Sequence, residues 1–133
     1  MIVVDTNIIA YLYLPGDRTT DAERLLVVQP KWVAPLLWRS ELRNVLALYI
    51  RKKQLTFDQA YAIQSEAEAL LCDREFEVAS FDVLRLAAES SCSAYDCEFV
   101  ALAMHLQTML VTADQKLLTR FPAIAIPLSN PVV

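Results

Sequence analysis

The sequence predicts an α/β fold of three layers, α/β/α, around a central and mainly parallel sheet. Three observations carry that prediction. Short β-branched or apolar runs recur along the chain, helical stretches with recognisable starts separate them, and the two kinds alternate from one end to the other. In such sheets ligands sit in the crevice at the carboxyl ends of the strands. A length of 133 residues fits one domain, spanning 1–133.

Taken in order, Ile2 to Val4 is a β-branched run that stops at Asp5 and reads as a buried strand. Thr20-x-x-Glu23 matches a capping box and starts the first long helix, after which Trp32 to Ala34 returns to strand. Leu36 to Lys53 is an amphipathic helix. Thr56-x-x-Gln59 is a second capping box, Phe76 to Ala79 a third strand, and Ser80 a cap for a helix reaching about Ser90. Tyr95 to Gln107 is apolar almost all round, the pattern of a buried helix. Met109 to Thr112 forms a strand, Thr112-x-x-Gln115 caps a short helix, and Ile124 to Ile126 closes the sheet.

Composition removes several function classes. With 56% hydrophobic and 21% charged residues the chain is not disordered, and its apolar surplus favours a subunit interface. No apolar run nears the roughly 18 residues of a membrane span, and MIVVDTN turns polar too early for a signal peptide, so a cytoplasmic protein is expected. Cys72, Cys92 and Cys97 are odd in number and lack C-x-x-C spacing, which argues for free, mostly buried thiols. His105 is the only histidine, so hydrolytic chemistry would have to run on carboxylates. A single glycine, Gly16, excludes both the phosphate-binding loop and the dinucleotide turn. The net charge of −4 is uneven: between Arg39 and Lys53 five cations face Glu41 alone, a local +4 that leaves −8 for the rest.

Four carboxylates stand out by position. Asp5 lies where the first strand meets a polar turn, a place equally suited to a helix cap. On a helical projection Glu41 falls inside the apolar sector, flanked by Val45 and Leu48, where a charge costs several kcal/mol unless a cation or strong donors offset it. Arg39, Arg43 and Lys53 project to the other side as a solvated ridge, while Asn44 lies about 60° from Glu41 and is better placed to meet a substrate. Asp96 begins the apolar helix, with Ser93 three residues ahead as a capping partner, and Glu98 and His105 form a strip on the opposite side that reads as surface. Asp114 follows the strand MLVT and is a favourable acid for a first helical turn. Three Asp and one Glu at element starts or in apolar sectors suit Mg²⁺ or Mn²⁺, which prefer oxygen ligands. The chemistry this suggests is metal-assisted, in-line attack of water on a phosphodiester.

The segments MIVVDTNIIA, APLLWRSELRNVLA, AYDCEFVALA and MLVTADQKLL, in that order and across nearly the whole chain, resemble the PIN domain and, more narrowly, the VapC-type toxins of toxin–antitoxin pairs. The resemblance implies a Mg²⁺- or Mn²⁺-dependent endoribonuclease with Asp5, Glu41, Asp96 and Asp114 as metal-binding catalytic acids. It also implies that Thr6, Asn7 and Thr112 support those acids or the scissile phosphate, and that the partners are RNA, a second copy of the chain and a cognate antitoxin. In that pattern the fourth acid is the most variable. A haloacid-dehalogenase-type phosphatase would need an Asp where Asn7 stands, and a receiver domain would need its acceptor after a middle strand and a Lys after the last. The competing reading is a PIN-like module that binds RNA or protein without cutting.

Overall fold

A computed structural model describes residues 1–128. The elements alternate as expected: β1 (Ile2–Val4), α1 (Thr6–Tyr13), α2 (Thr19–Val28), β2 (Trp32–Pro35), α3 (Leu37–Arg51), α4 (Phe57–Leu70), β3 (Glu75–Phe76), α5 (Ser80–Ser90), α6 (Ala94–His105), β4 (Leu110–Thr112), α7 (Gln115–Arg120) and β5 (Ala125–Pro127). The strands form one sheet in the order β3-β2-β1-β4-β5, and every pairing is parallel. Val3 pairs with Val33 on one side and Leu110 on the other, so the Ile-Val-Val run is central and buried on both faces, as a parallel sheet requires.

Chain order reverses between β1 and β4. That is the switch point of an open α/β sheet, and the crevice there lies at the carboxyl ends of two strands. Asp5 immediately follows β1, and Asp114 lies two residues past β4. Helix α6 packs across β1, β2 and β4, with α5 against it; α1 packs against α2, α3 and α4. Trp32, Trp38, Phe99, Ile8, Leu25 and Leu102 are among the largest fully enclosed side chains, placing the core on both faces of the sheet's middle.

Several local expectations are corrected. The Thr56–Gln59 capping box forms, with both reciprocal bonds in place. The Thr20–Glu23 box does not. Helix α2 begins two residues earlier, at Thr19 with Arg18 as its N-cap, and the Thr19 hydroxyl donates to the Tyr11 carbonyl and binds the preceding loop. Ala79, not Ser80, is the cap of α5, and β3 is only Glu75–Phe76 because the chain turns off the sheet to enter that helix. Thr112 belongs to β4, and Asp114 caps α7 with its own carboxylate. Arg39 is not part of a solvated ridge: it forks onto Glu75 at 2.6 and 2.7 Å and reaches Glu68 at 3.1 Å, clamping α3 to β3 and α4. Arg43 and Lys53 are exposed as expected, and so are Arg51 and Lys52.

Candidate functional site

Asp5 is the N-cap of α1, and both of its carboxylate oxygens accept hydrogen bonds. Oδ1 accepts the Thr6 backbone N–H at 2.8 Å, and Oδ2 accepts the Thr112 hydroxyl at 2.7 Å and the Asn7 amide at 3.5 Å. The residue is only 6% exposed. Burial pushes its pKa up to about 6 against the pull of the Thr112 and Thr6 donors, and the nearby charges of Glu41 and Asp96 push the same way. The capping and functional readings of Asp5 are therefore compatible: one carboxylate occupies a helix start and a charged cluster.

Glu41 enters from α3 half-buried, with Oε1 accepting the Thr6 hydroxyl at 2.6 Å. Its pKa is raised by burial, opposed by the Thr6 bond and reinforced by the charges of Asp96 and Glu98. Val45, one turn on, is half-buried, whereas Leu48 is 45% exposed, so the apolar sector ends nearer to Glu41 than the helical projection placed it. Asp96 occupies the first turn of α6, where Ser93 caps its backbone N–H at 3.0 Å. Burial and then the Asp114 charge raise the Asp96 pKa, while the Ser93 bond and the Lys116 charge lower it. Asp114 caps α7 through the Lys116 N–H at 2.9 Å.

Three hydrogen-bonded links join Asp5 to Asp114, to the end of β4 and to Glu41. Thr112 donates to Asp5 and accepts the Asp114 N–H at 3.0 Å, so one enclosed hydroxyl fixes the spacing of two acids. Asn7 donates to Asp5 and accepts the Ala113 N–H at 3.3 Å, tying α1 to the end of β4. Thr6 links Asp5 to Glu41 by two donations, from its backbone N–H to Asp5 and from its hydroxyl to Glu41. The structure thus brings Asp5, Glu41, Asp96, Asp114, Thr6, Asn7 and Thr112 together at the switch point. Asn44 is exposed one turn along α3, and among the described residues these links do not extend to it.

Glu98 corrects the sequence reading. It is half-buried, its pKa is raised by burial, and its charge raises that of Glu41. Projected from α6 alone it faces away from Asp96, but Leu36, Phe76 and Val83 cover that side of the helix and make it a groove wall beside Glu41. The signal is present in the sequence, a second acid beside Asp96 on a largely apolar helix, but on the helical projection alone it reads as surface. His105 is exposed, as expected.

Among the described residues, no three His, Cys, Asp or Glu side chains are grouped closely enough to hold a metal ion as they stand. The donor chemistry nonetheless fits a hard divalent cation: one buried and several half-buried carboxylates raise one another's pKa, and the positive ends of α1, α6 and α7 point among them. Like charges so placed repel, and a cation is what would draw them inward.

Residues 2–124 match the family model of the PIN domain. The chain is 32% identical to ribonuclease VapC3 of Pyrobaculum aerophilum over 130 residues, covering 95% of this chain and 98% of that protein. Among solved structures it is similar to PAE2754 from Pyrobaculum aerophilum, with a TM-score of 0.77, 22% identity, and coverage of 96% of this chain and 90% of that one. It is also similar to a toxin–antitoxin complex from Klebsiella pneumoniae, with a TM-score of 0.69, 17% identity and 98% of each chain covered. By the family match over residues 2–124 and the 32% identity to a ribonuclease VapC3, the chain belongs to the PIN-domain family.

Proposed function

We propose that this protein is a metal-dependent endoribonuclease and the toxin of a toxin–antitoxin pair, working in the cytoplasm as a homodimer built from one domain per chain. The single observation that supports this most is the hydrogen bonding from Thr112 through Asp5 and Thr6 to Glu41, which holds a buried and a half-buried carboxylate together with, among the described residues, no cationic side chain hydrogen-bonded to either. The 32% identity to a ribonuclease VapC3 and the fold shared with a toxin–antitoxin complex support the same reading.

Asp5, Glu41, Asp96 and Asp114 would hold Mg²⁺ or Mn²⁺, which supplies Lewis acidity and lowers the pKa of an attacking water. The protein's own groups prepare the site. Thr112 and the Thr6 N–H keep Asp5 oriented, and the Thr6 hydroxyl orients Glu41, so neither carboxylate must reorganise during reaction. Asn7, its amide pinned to the end of β4, fixes the first turn of α1 beside the scissile phosphate. Asn44, exposed on the same helix as Glu41, is a candidate contact for the RNA.

The reading is tested in cells. Expression of the chain without its partner is expected to arrest growth, and the Asp96→Asn form, accumulating to the same level, is expected to be harmless. A short protein encoded beside it should copurify and restore growth. Unimpaired growth with active wild-type protein present would contradict the toxin assignment.

A further inference from the structure

Two grooves adjoin the carboxylate site, and they differ in charge. The first, about 440 Å³, runs between Leu36, Phe76 and Leu84 with Glu77 and Glu98 in its wall. The second, about 350 Å³, lies between α1, the α1–α2 loop and α3, and has Arg18 in its wall with Asp17 the acid beside it. A nucleic-acid strand carries a negative charge at every phosphate, so the first groove repels what the second can hold.

The second groove is continuous with the site along both of its helices. Glu41, Val45 and Tyr49 are spaced i, i+4, i+8 and lie on one stripe of α3. Asn7 and Tyr11 hold the matching relation on α1. Asn7, bonded to Asp5, lines the groove together with Val45 and Tyr49. The Arg18 guanidinium lies over the Tyr11 ring, 5.2 Å from its centre. Its ion pair with Asp21 is 4.0 Å long, beyond hydrogen-bonding distance, which leaves the donor fork free to grip an anion. The loop carrying Arg18 is held in place: the Thr19 hydroxyl accepts the Gly16 N–H at 3.1 Å and donates to the Tyr11 carbonyl at 2.8 Å.

We propose that this α1–α3 groove is a nucleotide subsite, in which the base next to the scissile phosphate packs on Tyr49 and Val45 and its outer phosphate meets Arg18. The proposal rests on the reading of the carboxylates as an RNA-cleaving site. Flat apolar packing accepts any base, so the subsite contributes affinity and strand direction without base selectivity.

The test is binding of a fluorescently labelled, single-stranded eight-nucleotide RNA to the full chain carrying Asp96→Asn, with wild-type cleavage of the same oligomer measured in parallel. Adding Arg18→Gln is expected to weaken binding about five- to tenfold and to flatten the salt dependence by roughly 0.7 in log–log slope, the value for one lost phosphate contact on a single strand. Tyr49→Leu is expected to weaken binding about fivefold or more, with affinity restored by Tyr49→Phe, which keeps the ring. Arg120→Gln, in the exposed last turn of α7, serves as the charge-matched control. In the cleaving protein, Arg18→Gln and Tyr49→Leu are expected to raise KM more than they lower kcat. Parent-like affinity and salt slope in both variants, while wild type cleaves the oligomer, would overturn the subsite and leave the cleaving site standing. Wild type that neither binds nor cleaves RNA would overturn both. Variants that lose a copurifying protein but keep RNA affinity would assign the groove to a protein partner and overturn the proposal.

Discussion

At Asp5 the site sets function against stability. A carboxyl pKa raised from 3.8 to about 6 means that the folded protein holds this proton more tightly than the unfolded chain does. Asp5 therefore lowers the stability of the metal-free protein progressively as pH rises from about 4 to 6, and by a constant amount above that, at most about 3 kcal/mol. Asp5→Asn should raise the melting temperature at pH 7.5 without divalent ions by the equivalent of about 1–2 kcal/mol, the remainder being offset by weakened bonds to Thr6 and Thr112. At pH 4 the advantage should vanish. Melting curves at the two pH values check this, and a less stable Asp5→Asn at pH 7.5 would show that the hydrogen bonds outweigh desolvation. Thr112→Val removes the hydroxyl that spaces Asp5 from Asp114 and leaves the Asp114 N–H without its acceptor. Steady-state kinetics should show kcat falling about tenfold or more, as removal of a preorganising donor does, with stability lower by about 1–2 kcal/mol.

The helices show which parts of the fold were legible in sequence and which were not. Ile2–Val4 and Tyr95–Gln107 could be read because an uninterrupted apolar run and an all-round apolar helix leave few alternatives to burial. Glu41 could be read because a charge in an apolar sector is costly and so demands a partner. Thr20 could not: a capping box is a local pattern, and the neighbouring Thr19 hydroxyl gains more by bonding to a carbonyl of α1, a contact that only the folded chain creates. Glu98 was misplaced for a related reason, since a projection of α6 does not contain the groove that Leu36 and Phe76 build around it. Arg39 is the same lesson in electrostatics. Glu75 and Glu68 are remote in sequence, yet the fold brings both to one guanidinium, and Arg39 holds the Glu75 pKa below the usual carboxylate range. Arg39→Met should destabilise the protein by about 1–2 kcal/mol, less than a fully buried pair would cost because the Arg39 side chain is 35% exposed and partly screened. Denaturant unfolding in low and moderate salt measures it, and an unchanged midpoint would show that the clamp contributes specificity alone.

For the whole molecule, the parallel sheet explains why four acids distant in sequence meet: Asp5 and Asp114 follow adjacent strands at the switch point, and α3 and α6 deliver Glu41 and Asp96 to the same crevice. A ligand that binds only the assembled site stabilises the fold by mass action. Adding Mn²⁺ or Mg²⁺ at pH 7.5 should therefore raise the melting temperature of wild type and leave Asp5→Asn and Asp96→Asn nearly unmoved. The most direct test of the central claim is cleavage of a labelled single-stranded RNA by purified, chelator-treated protein. Cleavage by wild type should be absent without divalent ions, return on titration with Mn²⁺ or Mg²⁺, and fall by at least about a hundredfold in Asp5→Asn and Asp96→Asn, both still folded. Equal cleavage by wild type and both variants, or cleavage indifferent to metal, would contradict it.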